Sequence, residues 1–339
     1  MHSSAALHCE GVGQNFLICV KRCLVGLALT VTTATTAWAQ TYPTRSIEWV
    51  VPYPAGGGSD VVARSVSELM SSALGQSIIV SNKPGAATNI GASYVARAKP
   101  DGYTLLTADT ATLAANPALY RSLDYSAEKD FAPVGLLARF PMVLVVNPAV
   151  PATNLKEFLA WAKSQTTGVS YASPGAGSPH HLTAELFRGQ TGLNLVHVPY
   201  RGAAPAVQDV AGNQLPFMFV DTAAGMSFIQ SGRLRAIGIA SLTRVKNFES
   251  IPTLNEQGLK GFEAFAWQGL VAPTGTPPDV ILAINKALVN ALNTTSVKAR
   301  FQVLGLEALP GTPAQMASYA QLEREKWAQV IRTSGIKLD

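Results

Sequence analysis

The sequence predicts a two-domain α/β protein, and three observations carry that expectation. The chain has 339 residues, more than one small domain needs. Strand, Pro/Gly loop and helix patterns alternate along it, which implies a mostly parallel sheet with right-handed crossovers. Hydrophobic residues make up 47% and charged residues 14%, a globular composition and not a disordered or fibrous one. The formal net charge of +5 is mild, and no Lys/Arg run gathers it into a nucleic-acid patch. Outside the first forty residues no apolar stretch reaches about 18 residues, so nothing in the body reads as a membrane span.

The first forty residues read as a targeting segment. Lys21-Arg22 precedes the apolar run Cys23 to Val31, then small residues, then Ala37-Trp38-Ala39. A basic start, a short apolar run and an A-x-A site make a secretory signal peptide. Cleavage is expected after Ala39, with residues 1–39 removed, Gln40 first and the periplasm as destination. An uncleaved anchor is the alternative, for which the apolar run is short. Residues 1–20 carry no clear pattern; a translation start at Val20 would account for them. Cys9, Cys19 and Cys23 all precede the expected cut. The exported chain then holds no thiol, disulfide or Cys-metal site.

The elements follow in order. Ile47 to Val51 reads as a buried strand, Pro52 to Ser59 as a loop, and Val61 to Ala73 as a helix with Val62, Val66, Leu69, Met70 and Ala73 on one side. A strand at Ile78 to Val80 leads through Pro84-Gly85 to a helix from Asn89 to Ala98. A turn at Pro100 to Gly102 and a strand at Tyr103 to Leu106 follow. The pattern then restarts. Met142 to Val146 is a strand, Leu155 to Lys163 a helix and Val169 to Tyr171 a strand. Pro174 to Ser178 is a loop, His181 to Gln190 a helix and Leu195 to Val198 a strand. Strands are expected near Phe217 to Val220, Leu234 to Ala240 and Phe265 to Leu270. Pro278 to Leu292 and Pro313 to Thr333 read as helices.

A weak internal repeat runs through this order. Pro54 to Ser59 is followed by Pro84-Gly85-Ala86, and Pro174 to Ser178 by Pro199 to Ala203. Two such βαβ units either place loops on opposite walls of one cleft or are unrelated turns of a doubly wound fold.

The glycine loops carry the chemistry. A helix start has free N–H groups and a positive dipole end, and glycine lets an anion approach them closely. Gly56 to Asp60 and Gly175 to Ser178 fit this; Asp60 or Ser59 as a plain helix cap is the alternative. Neither loop is a Walker A or G-x-G-x-x-G motif. There is no G-x-S-x-G elbow and no H-E-x-x-H. No cofactor and no metal are expected. His180 and His181, with Glu185 four residues beyond His181, are either metal ligands or capping and packing residues, and adjacent histidines diverge on a helix. Asp109 and Asp221 each follow a strand and are either cleft acids or caps.

Five motifs in order resemble the Bug (TctC-type) receptors of tripartite tricarboxylate transporters. They are Val51 to Asp60, Lys99 to Leu105, Tyr171 to Ser178, His197 to Gly202 and Trp267 to Pro273. The resemblance covers Tyr42 to Asp339. It implies a periplasmic binding protein type II-like fold, two α/β domains joined by a two-strand hinge around a ligand cleft. It also implies carboxylate ligands gripped by backbone donors of two facing loops, with ordered waters. The implied domains are 40–142 plus 265–339, and 143–264, with Met142 to Val146 and Phe265 to Leu270 as crossover strands.

The expected ligand contacts are Tyr53, Ala55, Gly56, Gly57, Gly58, Ser59, Asp60, Asn89 and Asp109 on one wall. On the other are Ser173, Gly175, Ala176, Gly177, Ser178, His181 and Asp221. The expected partners are a small organic carboxylate and the membrane components of a transporter or a sensor. No nucleic acid is expected, and the protein is expected to be monomeric. The alternative is an exported hydrolase or lyase acting on a small acid. One departure stands out. The family commonly reads G-A-G-G-N-I-G where this chain has Gly85 to Gly91 with Ala87 and Thr88. Side chains there are expected to narrow the cleft or add a hydroxyl.

Overall fold

The computed structural model describes residues 42–246 and 248–338. The expected signal peptide and its cleavage site lie outside the described residues. The chain opens with β1 (Ile47–Val51), α1 (Gly58–Leu74) and β2 (Ile78–Asn82). Helix α1 buries Val62, Ala63, Val66 and Met70, an i, i+4 stripe, and stops at Gly75 with φ +68°. Then come α2 (Asn89–Ala96), β3 (Thr104–Asp109), a π-helical turn (Thr110–Ala115) and the short α3 (Asn116–Leu119).

Strand β4 (Phe131–Val146) is the longest. Only its last five residues were legible as a strand. Pro133, Gly135 and Pro141 disguise the rest, and the register slips at Pro133/Gly135 and Leu136/Ala138. Beyond it lie α4 (Leu155–Ser164), β5 (Val169–Ser173), α5 (Pro179–Thr191), β6 (Leu195–Pro199) and α6 (Ala203–Ala211). They are followed by β7 (Phe217–Asp221), α7 (Thr222–Gln230) and β8 (Arg235–Ile239). The chain closes with β9 (Phe265–Pro273), α8 (Pro278–Asn293), α9 (Thr295–Val303), β10 (Glu307–Ala308) and α10 (Pro313–Ser334).

The sheet order is β2-β1-β3-β9-β4-β7-β5-β6, with β8 and β10 pairing β4. It is mixed and not mostly parallel. β1 pairs in parallel with β2 and β3, and β5 with β6 and β7. Every pairing of β4 and β9 is antiparallel. The helical crossovers confer parallel pairing only inside each βαβ unit.

The sequence repeat is a repeat of topology: β1-α1-β2-α2-β3 corresponds to β5-α5-β6-α6-β7. The two units meet through β4. Its pairing with β9 ends at Pro141↔Phe265, and its pairing with β7 starts at Met142↔Asp221. At the same level Ala240 N–H donates to Met142 O (2.8 Å) and Ala264 N–H to Ala240 O (3.0 Å). β4 therefore changes partner at residues 141–142, and β9 begins beside that point at Phe265. One core gathers Trp49, Val62, Met70, Ile284, Leu288 and Phe301 beside the first unit, so α8 and α9 pack back there. Another gathers Val143, Val207, Met218 and Ile239 in the second.

Candidate ligand-binding site

The first glycine loop joins β1 to α1. Gly57 occupies the N-cap position in extended backbone with no side-chain cap. The glycine-built start of α1 therefore carries no hydroxyl or carboxylate on its first amides. Ala55, Gly56, Gly57 and Gly58 are exposed. Gly56 has φ +79°, whereas Gly57 has φ −75°, so the left-handed conformation belongs to Gly56. Asp60 is buried and braces the loop from inside. It accepts from the Gly56 amide (2.9 Å), from Arg64 Nε (3.0 Å) and from Asn82 Nδ2 (2.9 Å). Burial alone would raise its carboxyl pKa, but hydrogen bonds from Arg64, Gly56 and Asn82 hold it below the ordinary value. Ser59 is also buried, and Gln268 Nε2 donates to its hydroxyl at 2.5 Å.

Asp109 ends β3 beside this loop. Its carboxylate accepts from the Tyr53 hydroxyl and from both the amide and the hydroxyl of Thr112, each at 2.9 Å. It is the N-cap of the π-helical turn. Burial raises the Asp109 pKa, and burial beside this carboxylate raises that of Tyr53. The Thr112 hydroxyl donates to Asp109, so at its 2.9 Å contact with Thr88 it accepts. The Thr88 hydroxyl is thereby committed inside the protein, and Thr88 is 2% exposed. It adds no free hydroxyl to the cleft, contrary to one expectation from the sequence.

Ala86, Ala87 and Thr88 are all left-handed, with φ of +46°, +49° and +80°. Such backbone suits the glycines of the family motif and is strained for residues with a Cβ. Asn116 Nδ2 holds the run in place, donating to Ala87 O and Asn89 Oδ1, both at 2.7 Å. Tyr125 also donates to Asn89 Oδ1 (3.2 Å).

The second glycine loop joins β5 to α5. Ser178 is the N-cap of α5 and accepts from the His181 amide (3.3 Å). His181 folds back, and its Nδ1 accepts the Gly177 amide at 2.9 Å. Its ring stacks on His197 at 3.8 Å between centroids. Burial, then the neighbouring His197 and Arg188, push the His181 pKa down to about 3. Burial also lowers that of His197. Gly177 has φ +76°, and a Cβ there would lie 2.7 Å from Leu119 Cδ1 and 3.0 Å from Leu338 Cδ1. Gly175 also has positive φ, and Ala176 is exposed.

Ser173 Oγ lies 2.6 Å from His197 Nε2, a distance at which a nucleophile and its base would stand. Ser173 is fully buried, however, and its hydroxyl also bonds the Gly175 carbonyl and amide. The pair fixes the loop and presents no nucleophile.

Asp221 ends β7 as Asp109 ends β3. It caps α7, accepting from the Ala224 amide (2.9 Å), and takes a second bond from His180 Nε2 (2.9 Å). Burial would raise its pKa, but His180 and the backbone amides lower it. Both aspartates are thus caps, each gripped by a residue that follows the first strand of its unit. His180 and His181 take separate partners, Asp221 and Gly177. Among the described residues no three His, Cys, Asp or Glu side chains converge as a metal-ligand set.

Two polar residues of this region had no place among the expected contacts. His180 Nδ1 and Gln268 Oε1 are the buried side-chain atoms without a hydrogen-bond partner among the described residues. Ser59, the partner of Gln268, is second in α1, and His180 is second in α5. The glycine loops at the two helix starts were legible, but the orphaned atoms were not. A cavity of about 490 Å³ lies elsewhere, between Phe131, Val271, Met316 and Arg324, and shares no residue with either loop. Its Arg324 is already bound to Leu113 O and Glu128, so the glycine loops remain the better candidate site.

The family model for the tripartite tricarboxylate transporter family receptor matches residues 62–336. Protein BugT of Bordetella pertussis is 36% identical over 301 residues, 88% of this chain and 92% of that protein. Among solved structures, R. palustris Rpa4515 with adipate superposes with a TM-score of 0.80 at 31% identity, over 87% of this chain and 99% of that one. MatC from Rhodopseudomonas palustris with bound malate gives 0.76 at 34% identity, over 86% and 100%.

Proposed function

Since this chain belongs to the tripartite tricarboxylate transporter receptor family, whose members are periplasmic solute-binding proteins and not enzymes, we propose that it captures a small organic carboxylate between its two glycine loops. It then delivers that acid to the membrane components of a tripartite transporter, or presents it to a sensor. The domains that close on the acid are 40–142 plus 265–339, and 143–264. The exported protein works as a monomer in the periplasm after cleavage behind Ala39.

One observation carries the reading. Of the hydroxyls that border the loops, Tyr53 donates to Asp109, Thr88 to Thr112 and Ser173 to Gly175 O, while Ser59 and Ser178 accept from Gln268 and from the His181 amide. Neither loop holds a Lys or Arg. The amides of Gly56, Gly57, Gly175, Gly177 and Ser178 already donate to Asp60, Pro54 O, Ser173, His181 and Gly175 O. What the loops offer a ligand is therefore the uncapped N-terminal turn of α1 and the Ser178 hydroxyl, and donors at a positive helix end favour an anion. Adipate and malate in two similar solved proteins fit the same chemistry.

Calorimetric titration with mono-, di- and tricarboxylates tests the reading. At least one acid should bind. Its neutral amide analogue should bind at least ~10-fold more weakly, because charge-assisted hydrogen bonds are roughly twice as strong as neutral ones. Equal affinity for acid and amide would refute anion capture.

A further inference from the structure

We propose that His180 is a ligand contact on the second wall, donating from Nδ1 to a carboxylate of the bound acid. This rests on the carboxylate reading above and adds to it a ring N–H donor.

His180 is 8% exposed, and its Nδ1 has no hydrogen-bond partner among the described residues. Buried polar atoms are nearly always bonded, so each exception calls for a partner from outside the protein or for a function. The opposite edge of the ring is fixed. Nε2 bonds Asp221 Oδ2 at 2.9 Å, and Asp221 is itself held by the Ala224 amide. A ring fixed at Nε2 holds Nδ1 in one direction before any ligand arrives, which lowers the cost of ordering on binding.

The position is also that of a binding residue. His180 is second in α5, two residues past the Ser178 cap of the second glycine loop. Asp221 pairs with Met142, where β4 leaves its partnership with β9 and joins β7. The pair therefore stands at the C-terminal ends of β5 and β7, beside the junction of the two halves. A carboxylate has only acceptors, so in the complex His180 is an imidazolium, with one proton taken up from solvent, and donates from Nδ1 to the acid and from Nε2 to Asp221. His181, the other histidine of the pair, cannot serve this way, because its Nδ1 is occupied by the Gly177 amide.

The variant His180→Gln separates contact from packing. The glutamine amide nitrogen reaches the place of Nε2 and keeps a donor for Asp221, but nothing replaces Nδ1. Calorimetry with the tightest acid of the carboxylate panel should show at least ~10-fold weaker binding for this variant, with an apo melting temperature near that of the wild type. In wild-type protein carrying ¹⁵N-histidine, the His180 Nδ1 resonance should move when that acid is added. Unchanged affinity in His180→Gln, or an unmoved Nδ1 resonance at saturating acid, overturns the proposal and leaves the carboxylate reading intact. A wild type that binds no acid of the panel overturns both.

Discussion

The Nδ1 of His181 accepts the backbone N–H of Gly177 at 2.9 Å. The second glycine loop is therefore wrapped around an imidazole that must be unprotonated at that nitrogen, and a proton placed there would break the contact.

Stability should consequently fall on mild acidification. Unfolded histidine titrates near 6.5, while burial in the folded state pushes His181 down to about 3. Between those values the unfolded chain takes a proton that the folded chain refuses. The His181 contribution is complete above pH 6.5 and is lost as pH falls toward 3. By pH 5 the loss is about 2 kcal/mol. In His181→Asn the side-chain oxygen can accept from Gly177 without titrating. Urea midpoints at pH 7 and pH 5 should diverge less in this variant than in the wild type; an equal drop in both contradicts the assignment.

The two loops should respond differently to a methyl group. Gly177 has φ +76° and a Cβ position 2.7 Å from Leu119. Gly177→Ala should cost about 1–3 kcal/mol from backbone strain alone. Gly57 has φ −75°, and its Cβ would meet nothing closer than Pro54 O at 3.4 Å. Gly57→Ala should cost at most about 1 kcal/mol while weakening ligand binding at the exposed amides. Thermal melts rank the pair, and a Gly57→Ala variant less stable than Gly177→Ala would contradict the geometry.

The left-handed run should show its strain. Ala87 is exposed with φ +49°. Ala87→Gly should relieve roughly 1–2 kcal/mol of strain against about 0.5–1 kcal/mol of chain entropy, for a small net gain in stability. Thr88→Val keeps the shape but removes the hydroxyl that donates to Thr112, and should lose about 1 kcal/mol. Chemical denaturation gives both signs, and a destabilised Ala87→Gly would mean the run is unstrained.

The architecture was legible where local pattern decides it. The two βαβ units appear in the Pro/Gly loops at Pro54 and Pro174, since only loops of that kind turn a strand into a helix there. The long reach of β4 was hidden by Pro133, Gly135 and Pro141, which local rules read as breaks but pairing with β9 overrides. Antiparallel β9 could not be inferred, because strand direction depends on partners more than a hundred residues apart. At the site, Asp109 and Asp221 were visible as strand-ending acids. Their partners Tyr53 and His180 depend on side-chain directions that sequence spacing does not contain. The turned-in Thr88 hydroxyl was hidden for the same reason.

Binding should draw the two halves together, since one acid touches both loops only when they approach. Small-angle scattering with saturating acid should give a smaller radius of gyration than the free protein. A larger radius would contradict closure.

The central claim is that the two loops hold a small organic carboxylate. The most direct measurement is a mass spectrum of the molecule released when protein purified from its native periplasm is denatured. The account predicts a small acid with one or more carboxyl groups, recovered unaltered. A sugar or an amine without a carboxyl group, recovered in stoichiometric amount, would contradict it.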